Sequence, residues 1–75
     1  MVLSEMKPYE KARIVKLKHI SPLVIKRMND FGIVEGAEVS LKRLYPFNGP
    51  IIIECQGQML SFRHKDAKGI EVEKL

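Results

Sequence analysis

Catalysis needs a nucleophile, a proton carrier or a set of metal ligands held together by the fold. In this chain the residues of those types are Cys55, His19, His64 and the scattered carboxylates Glu5, Glu10 and Glu35. Cys55 is the single cysteine and ends the run Ile51-Ile52-Ile53-Glu54-Cys55. Among isoleucines a thiol stays protonated and packs as a small hydrophobe, whereas a nucleophilic cysteine needs an accessible, electropositive setting. One cysteine also excludes an intrachain disulfide and a cysteine-based zinc site. His19 and His64 have neither an i, i+4 nor a His-x-His spacing, so strand-end or surface positions describe them better than a ligand pair. No Gly-x-x-x-x-Gly-Lys-Ser/Thr run is present to cradle a nucleotide phosphate. The expectation is a chain with no catalytic residue, no metal-binding residue, no cofactor and no small-molecule substrate.

Without reactive groups, recognition is left. Two candidate contact sets stand out. Tyr45, Pro46, Phe47 and Asn48 put two aromatics and a proline at a loop tip, where they can anchor a partner protein; the alternative is that Phe47 folds back over the mouth of the core. Lys26, Arg27 and Arg43 form a basic set that can face acidic residues of a partner, the alternative being ordinary solvation. The net charge of +4, from 13 Lys and Arg against 9 Asp and Glu, is mild and spread along the chain. Nucleic acid is the main rival partner. That mode interleaves stacking aromatics with a basic surface, and with two Tyr, three Phe and no Trp, and Phe31 and Phe62 better used in the core, few aromatics remain for it.

These residues must be positioned by one small domain spanning residues 1–75. A chain this short buries roughly 60% of its extended surface, which leaves stability modest and makes self-association plausible. No apolar run approaches the roughly 20 residues that cross a bilayer, and Met1-Val2-Leu3-Ser4-Glu5 lacks the basic and apolar regions of a secretory signal. The expected setting is the cytoplasm, without membrane insertion.

Short apolar runs alternate with turn signals, the pattern of an all-β domain. Ser4 suits a single opening turn, with Leu3 and Met6 three apart to plug one end of the core. The first strand is expected from Lys11 to His19. Ala12 and Ile14 share a face, but Val15 and Leu17 are out of phase with them, which predicts a bulge or bend. Ser21 as N-cap and Pro22 at the first helical position open a helix to Asp30, with Val24, Met28 and Phe31 as its buried stripe and Gly32 as its left-handed cap. Val34-Glu35-Gly36 reads as a tight turn into a second strand, Ala37 to Tyr45, where Arg43 and Leu44 reverse the alternation. Asn48-Gly49 between Pro46 and Pro50 is a strong turn signal. Strands are then expected over Ile51 to Gln56, Met59 to Arg63 and Ile70 to Glu73, with one helical turn at most between His64 and Gly69. Five strands with one short helix between the first and second fit a small barrel that is closed or nearly so.

The order of these signals resembles the FeoA family over nearly the whole chain. The opening Leu3-Ser4-Glu5-Met6-Lys7-Pro8 and Ala12-Arg13-Ile14 resemble its start and first strand. The fullest match is the run from Arg27 through Asp30-Phe31-Gly32-Ile33 to Gly36-Ala37-Glu38-Val39, which resembles the family's helix end, glycine cap, turn and strand entry. Pro46, Gly49, Pro50-Ile51 and Ile53, then Leu60, Phe62, Arg63, Ala67 and Ile70, complete it. Two departures are visible: Tyr9 stands where the family usually has glycine, and Lys16 to Ser21 lacks glycines often found there. The resemblance implies an SH3-like barrel. It also implies an accessory role beside FeoB, the ferrous iron transporter with a cytoplasmic GTP-hydrolysing domain, and an association with iron and other transition metals. The alternative reading is a stand-alone SH3-like module that binds nucleic acid or serves a metal-dependent regulator.

Overall fold

The computed structural model of the chain describes residues 1–75. A 3₁₀ turn at Leu3–Glu5 precedes β1 (Lys11–Leu17), α1 (Pro22–Asp30), β2 (Glu38–Leu44), β3 (Ile51–Cys55), β4 (Gln58–Phe62), α2 (His64–Ala67) and β5 (Ile70–Lys74). The opening turn starts two residues earlier than a Ser4 cap would place it. Val2, not Ser4, precedes it, and the Val2 N–H donates to Glu5 Oε1 at 2.8 Å.

The five strands form one antiparallel sheet in the order β4-β3-β2-β1-β5. Both expected irregularities are present. In β1, Ile14 pairs with Val72 and Lys16 with Glu71, so Val15 is the extra residue of a bulge. The bulge turns Leu17 back to the core side, opposite Ile70, and leaves Val15 half out in water. In β2, Leu41 pairs with Ile53 and Arg43 with Ile52, so Lys42 is the extra residue. These bulges bend the strands and allow so small a sheet to curl around one core.

Closure of the barrel is corrected by the pairing. β4 and β5 are the two ends of the sheet and do not bond to each other. The start of the chain takes the outer edge of β5: Val2 bridges Glu71, and the Val72 N–H donates to the Met1 carbonyl at 2.8 Å. With that edge occupied, β4 has no strand to close against.

α1 forms for local reasons. The Ser21 hydroxyl accepts the Val24 N–H at 3.3 Å, and Pro22 fills the first helical position. At the other end Gly32 stands at φ +76°, its N–H bonds to the Asn29 carbonyl, and the Ile33 N–H reaches the Met28 carbonyl at 2.8 Å. That pair of bonds is a Schellman cap, and its apolar contact is supplied by buried Ile33 and Met28. Val24 and Phe31 lie at the margin of the core rather than within it.

Seventeen buried apolar residues make one core. Alternation assigns Ile51, Ile53 and Cys55 inward and leaves Ile52 and Glu54 half-buried, which resolves the face of the isoleucine run. Nine large side chains, Leu3, Met6 and Ile14 among them, are essentially without solvent contact. At about 2 kcal/mol each, their burial supplies much of what offsets the ordering of a short chain.

Candidate functional site

The connection between β2 and β3 is the most exposed aromatic feature of the molecule. The Tyr45 N–H donates to the Pro50 carbonyl at 3.2 Å, and inside that pair the Gly49 N–H donates to the Pro46 carbonyl at 3.1 Å. The two residues between, Phe47 and Asn48, both sit at φ +58°. Positive φ at both central positions is the backbone of a type I′ hairpin turn. Gly49 has no positive φ; it is needed because a Cβ there would come within 2.8 Å of Tyr45 Cβ and 3.0 Å of the Pro46 carbonyl oxygen.

Phe47 is 99% exposed. A left-handed conformation costs a non-glycine residue roughly 1–2 kcal/mol, and Phe47 gains no burial to offset it. The ring is therefore displayed, and the alternative in which it folds over the core is excluded. Arg43 extends the patch, its guanidinium lying 5.0 Å from the centroid of the half-exposed Tyr45 ring. Five of the seven expected contact residues, Arg43, Tyr45, Pro46, Phe47 and Asn48, thus stand together at one end of the β2–β3 hairpin.

Lys26 and Arg27 stand on α1 and do not share that contact. Lys26 pairs with Asp30 at 3.7 Å, one helical turn on. Arg27 has no ion-pair partner and lines a groove of about 490 Å³ between α1 and the β4 side of the sheet, together with Leu23, Val24, Pro50, Phe62 and Arg63. Leu23 is 81% exposed. It falls outside the stripe of Val24, Met28 and Phe31, and an apolar residue off the buried face of a short helix is the signal that could have drawn attention to this groove. Asp66, also on the groove wall, is the one buried charged residue, at 4% exposure. Its Oδ2 accepts the Arg63 Nε–H at 2.9 Å, which satisfies it.

Two titratable side chains are shifted by their surroundings. Burial pushes the Cys55 thiol up from its ordinary pKa. A hydrogen bond from the Lys74 ammonium, at 2.6 Å, and another from the Lys7 backbone N–H, at 2.7 Å, hold the Glu10 carboxyl below the usual carboxylate range. No group of three or more His, Cys, Asp or Glu side chains comes together in a way that could hold a metal ion. The residues present therefore do not fit a resident metal centre of the kind the family association suggests. No helix is long and apolar enough to cross a membrane. What the surface offers is shape, apolar area and positive charge, which suit the binding of another macromolecule.

Comparison with known proteins gives the chain a family. A FeoA domain model matches residues 1–74. No curated protein matches the chain. Among solved structures, the FeoA protein of Chlorobium tepidum is 36% identical, with a TM-score of 0.91 over 100% of this chain and 70% of that one. A protein described as an iron uptake regulatory protein, FeoA, is 28% identical, with a TM-score of 0.85 over 100% and 97% of the two chains. The zinc complex of Stenotrophomonas maltophilia FeoA, described as a procaryotic SH3 domain protein and a candidate activating factor of ferrous iron transport, has the same fold. Its identity is 24% and its TM-score 0.80, over 97% and 89% of the two chains.

Proposed function

The chain belongs to the FeoA domain family, and from that premise we propose that it is a non-catalytic accessory protein of ferrous iron uptake that binds a FeoB-like transporter at its cytoplasmic face. The family is linked to ferrous iron transport as an accessory factor. The observation that carries the reading to this chain is Phe47, fully displayed on a turn whose backbone is strained to hold it there. A strained position is a candidate for function, and Phe47 is singled out because it is also the most exposed aromatic and stands beside Tyr45 and Arg43. A rigid exposed aromatic beside a tyrosine is also the composition of an interface anchor.

In this reading the hairpin tip inserts Phe47 into an apolar pocket of the transporter, with Tyr45 and Pro46 packing around it and Asn48 at the rim. Arg43 and the α1 residues Lys26 and Arg27 meet acidic residues of the partner and speed its approach. The chain is cytoplasmic and reaches the membrane through its partner. Iron is the cargo of the transporter and is not held by this chain.

The direct test is affinity capture with the tagged chain from detergent-solubilised membranes of its source, followed by mass spectrometry. Recovery of the ferrous iron transporter above a tag-only control is expected. Its absence, in membranes shown to contain the transporter, would overturn the reading.

A further inference from the structure

We propose that the free edge of β4, with the groove beside it, takes up an extended acidic segment of a partner protein as an added strand. The inference concerns a surface other than the Phe47 tip and holds whichever protein supplies the segment.

The two ends of the sheet are treated differently. The outer edge of β5 is covered by Met1 and Val2. The outer edge of β4 carries no backbone pairing, and α1 stands beside it across the groove. In an antiparallel pair every second residue turns its N–H and C=O away from the partner strand, and no backbone group of Gln58–Phe62 bonds to any segment other than β3. Exposed edges are usually blunted by a charge, a proline or a bulge. The stretch Gln58-Met59-Leu60-Ser61-Phe62 has no charge and no proline, and its register with β3 runs unbroken from Ile51↔Phe62 to Cys55↔Gln58. It is a regular template for another strand.

The groove says what kind of strand. Its apolar wall is Leu23, Val24, Pro50 and Phe62, so alternate side chains of an incoming segment meet an apolar surface. Its charges, Arg27, Arg63 and Asp66, are positive on balance. Arg27 is unpaired, and Arg63 engages Asp66 through Nε, leaving its two terminal nitrogens without a partner. Asp66 offsets much of the Arg63 charge, so the net positive field an incoming strand meets comes mainly from Arg27, with the Arg63 terminal nitrogens still free to donate. Carboxylates complement them. A second copy of the chain could also add its β4 here, but from Gln58 to Lys65 it has no acidic residue to offer and would bring Arg63, His64 and Lys65 instead. Charge complementarity therefore selects an acidic segment over self-pairing.

The test is titration of the isotope-labelled chain with a synthetic peptide of alternating glutamate and valine, followed by NMR. Shifts and slowed amide exchange centred on Gln58–Phe62 are expected. Arg27→Glu should weaken binding about tenfold and leave the unfolding midpoint almost unchanged, because Arg27 has no partner within the fold. N-methylation of alternate peptide nitrogens, which removes strand donors and keeps the charge, should abolish binding. Equal binding of a lysine–valine peptide, shifts centred away from β4, undiminished binding of the N-methylated peptide, or no binding at all would each overturn the inference. So would sedimentation showing that a dimer of the chain occupies this edge. A chain that captures the transporter yet ignores the peptide would refute the added strand and leave the proposed function standing.

Discussion

Gly69 packs directly on Lys18. The Gly69 carbonyl accepts the Lys18 N–H at 2.7 Å, and a Cβ on residue 69 would collide with the Lys18 carbonyl oxygen and approach Ile20 Cγ1 to 2.9 Å. The contact ties the connection between β1 and α1 to the entry of β5, and with it the position of α1 against the sheet. Gly69→Ala should therefore destabilise the fold by about 3 kcal/mol, read as the midpoint shift in urea unfolding. The sign is informative. Where the backbone has room, Gly→Ala stabilises by about 0.4–1 kcal/mol through the unfolded chain, so a gain would show that the close approach is absent.

Tyr9 offers the opposite case. It stands at φ +70° and is 79% exposed. Tyr9 bears the strain of a left-handed backbone without burying its ring. Tyr9→Gly should stabilise by about 1 kcal/mol after the greater unfolded-state freedom of glycine is subtracted. A loss of stability in thermal or urea unfolding would mean that the tyrosine ring makes contacts worth more than the strain.

Acid should act on the fold through Glu10. Its carboxyl is held below the ordinary value of 4.5 by the hydrogen bond from Lys74, then by that from the Lys7 N–H. A depressed carboxylate contributes stability that is complete above the unfolded-state pKa and is lost as pH falls through the folded-state value. The contribution should be whole at neutral pH and decline below about 4.5. Glu10→Gln should be less stable than the parent at pH 7, and the difference should close as the pH is taken below that range. A difference independent of pH would remove the charged pair as its cause.

Cys55 should be chemically silent while the chain is folded. It is buried, and burial raises its thiol pKa, so little thiolate is available at neutral pH. A disulfide-exchange reagent should label it only at the rate of unfolding, and Cys55→Ala should leave partner capture unchanged. Rapid labelling of the native chain would contradict the burial.

The features that could be read along the chain were those set by neighbours in sequence. Ser21-Pro22 at the start of α1 and Gly32 at its end specify caps made within a few residues, and both caps form as expected. The bulges at Val15 and Lys42 were visible because a phase change in the apolar pattern has few other remedies. The face of Ile51-Ile52-Ile53 was not, since three isoleucines in a row carry no alternation; the neighbouring strands decide it. The open edge of β4 depends on Met1 and Val2 arriving at β5 from the far end of the chain. The left-handed backbone at Phe47 was hidden because Asn48-Gly49 drew the turn one residue too late. Arg63, Asp66 and Leu23 meet at the groove only through tertiary packing.

Phe47→Ala separates folding from recognition in a single protein. The side chain is fully exposed, so unfolding should stay within about 0.5 kcal/mol of the parent. Affinity for the transporter, measured by titrating the chain onto transporter held in detergent or nanodiscs, should fall about thirtyfold, the loss of a 2 kcal/mol anchor. A folded Phe47→Ala chain that binds the transporter as tightly as the parent would contradict the role assigned to the hairpin tip.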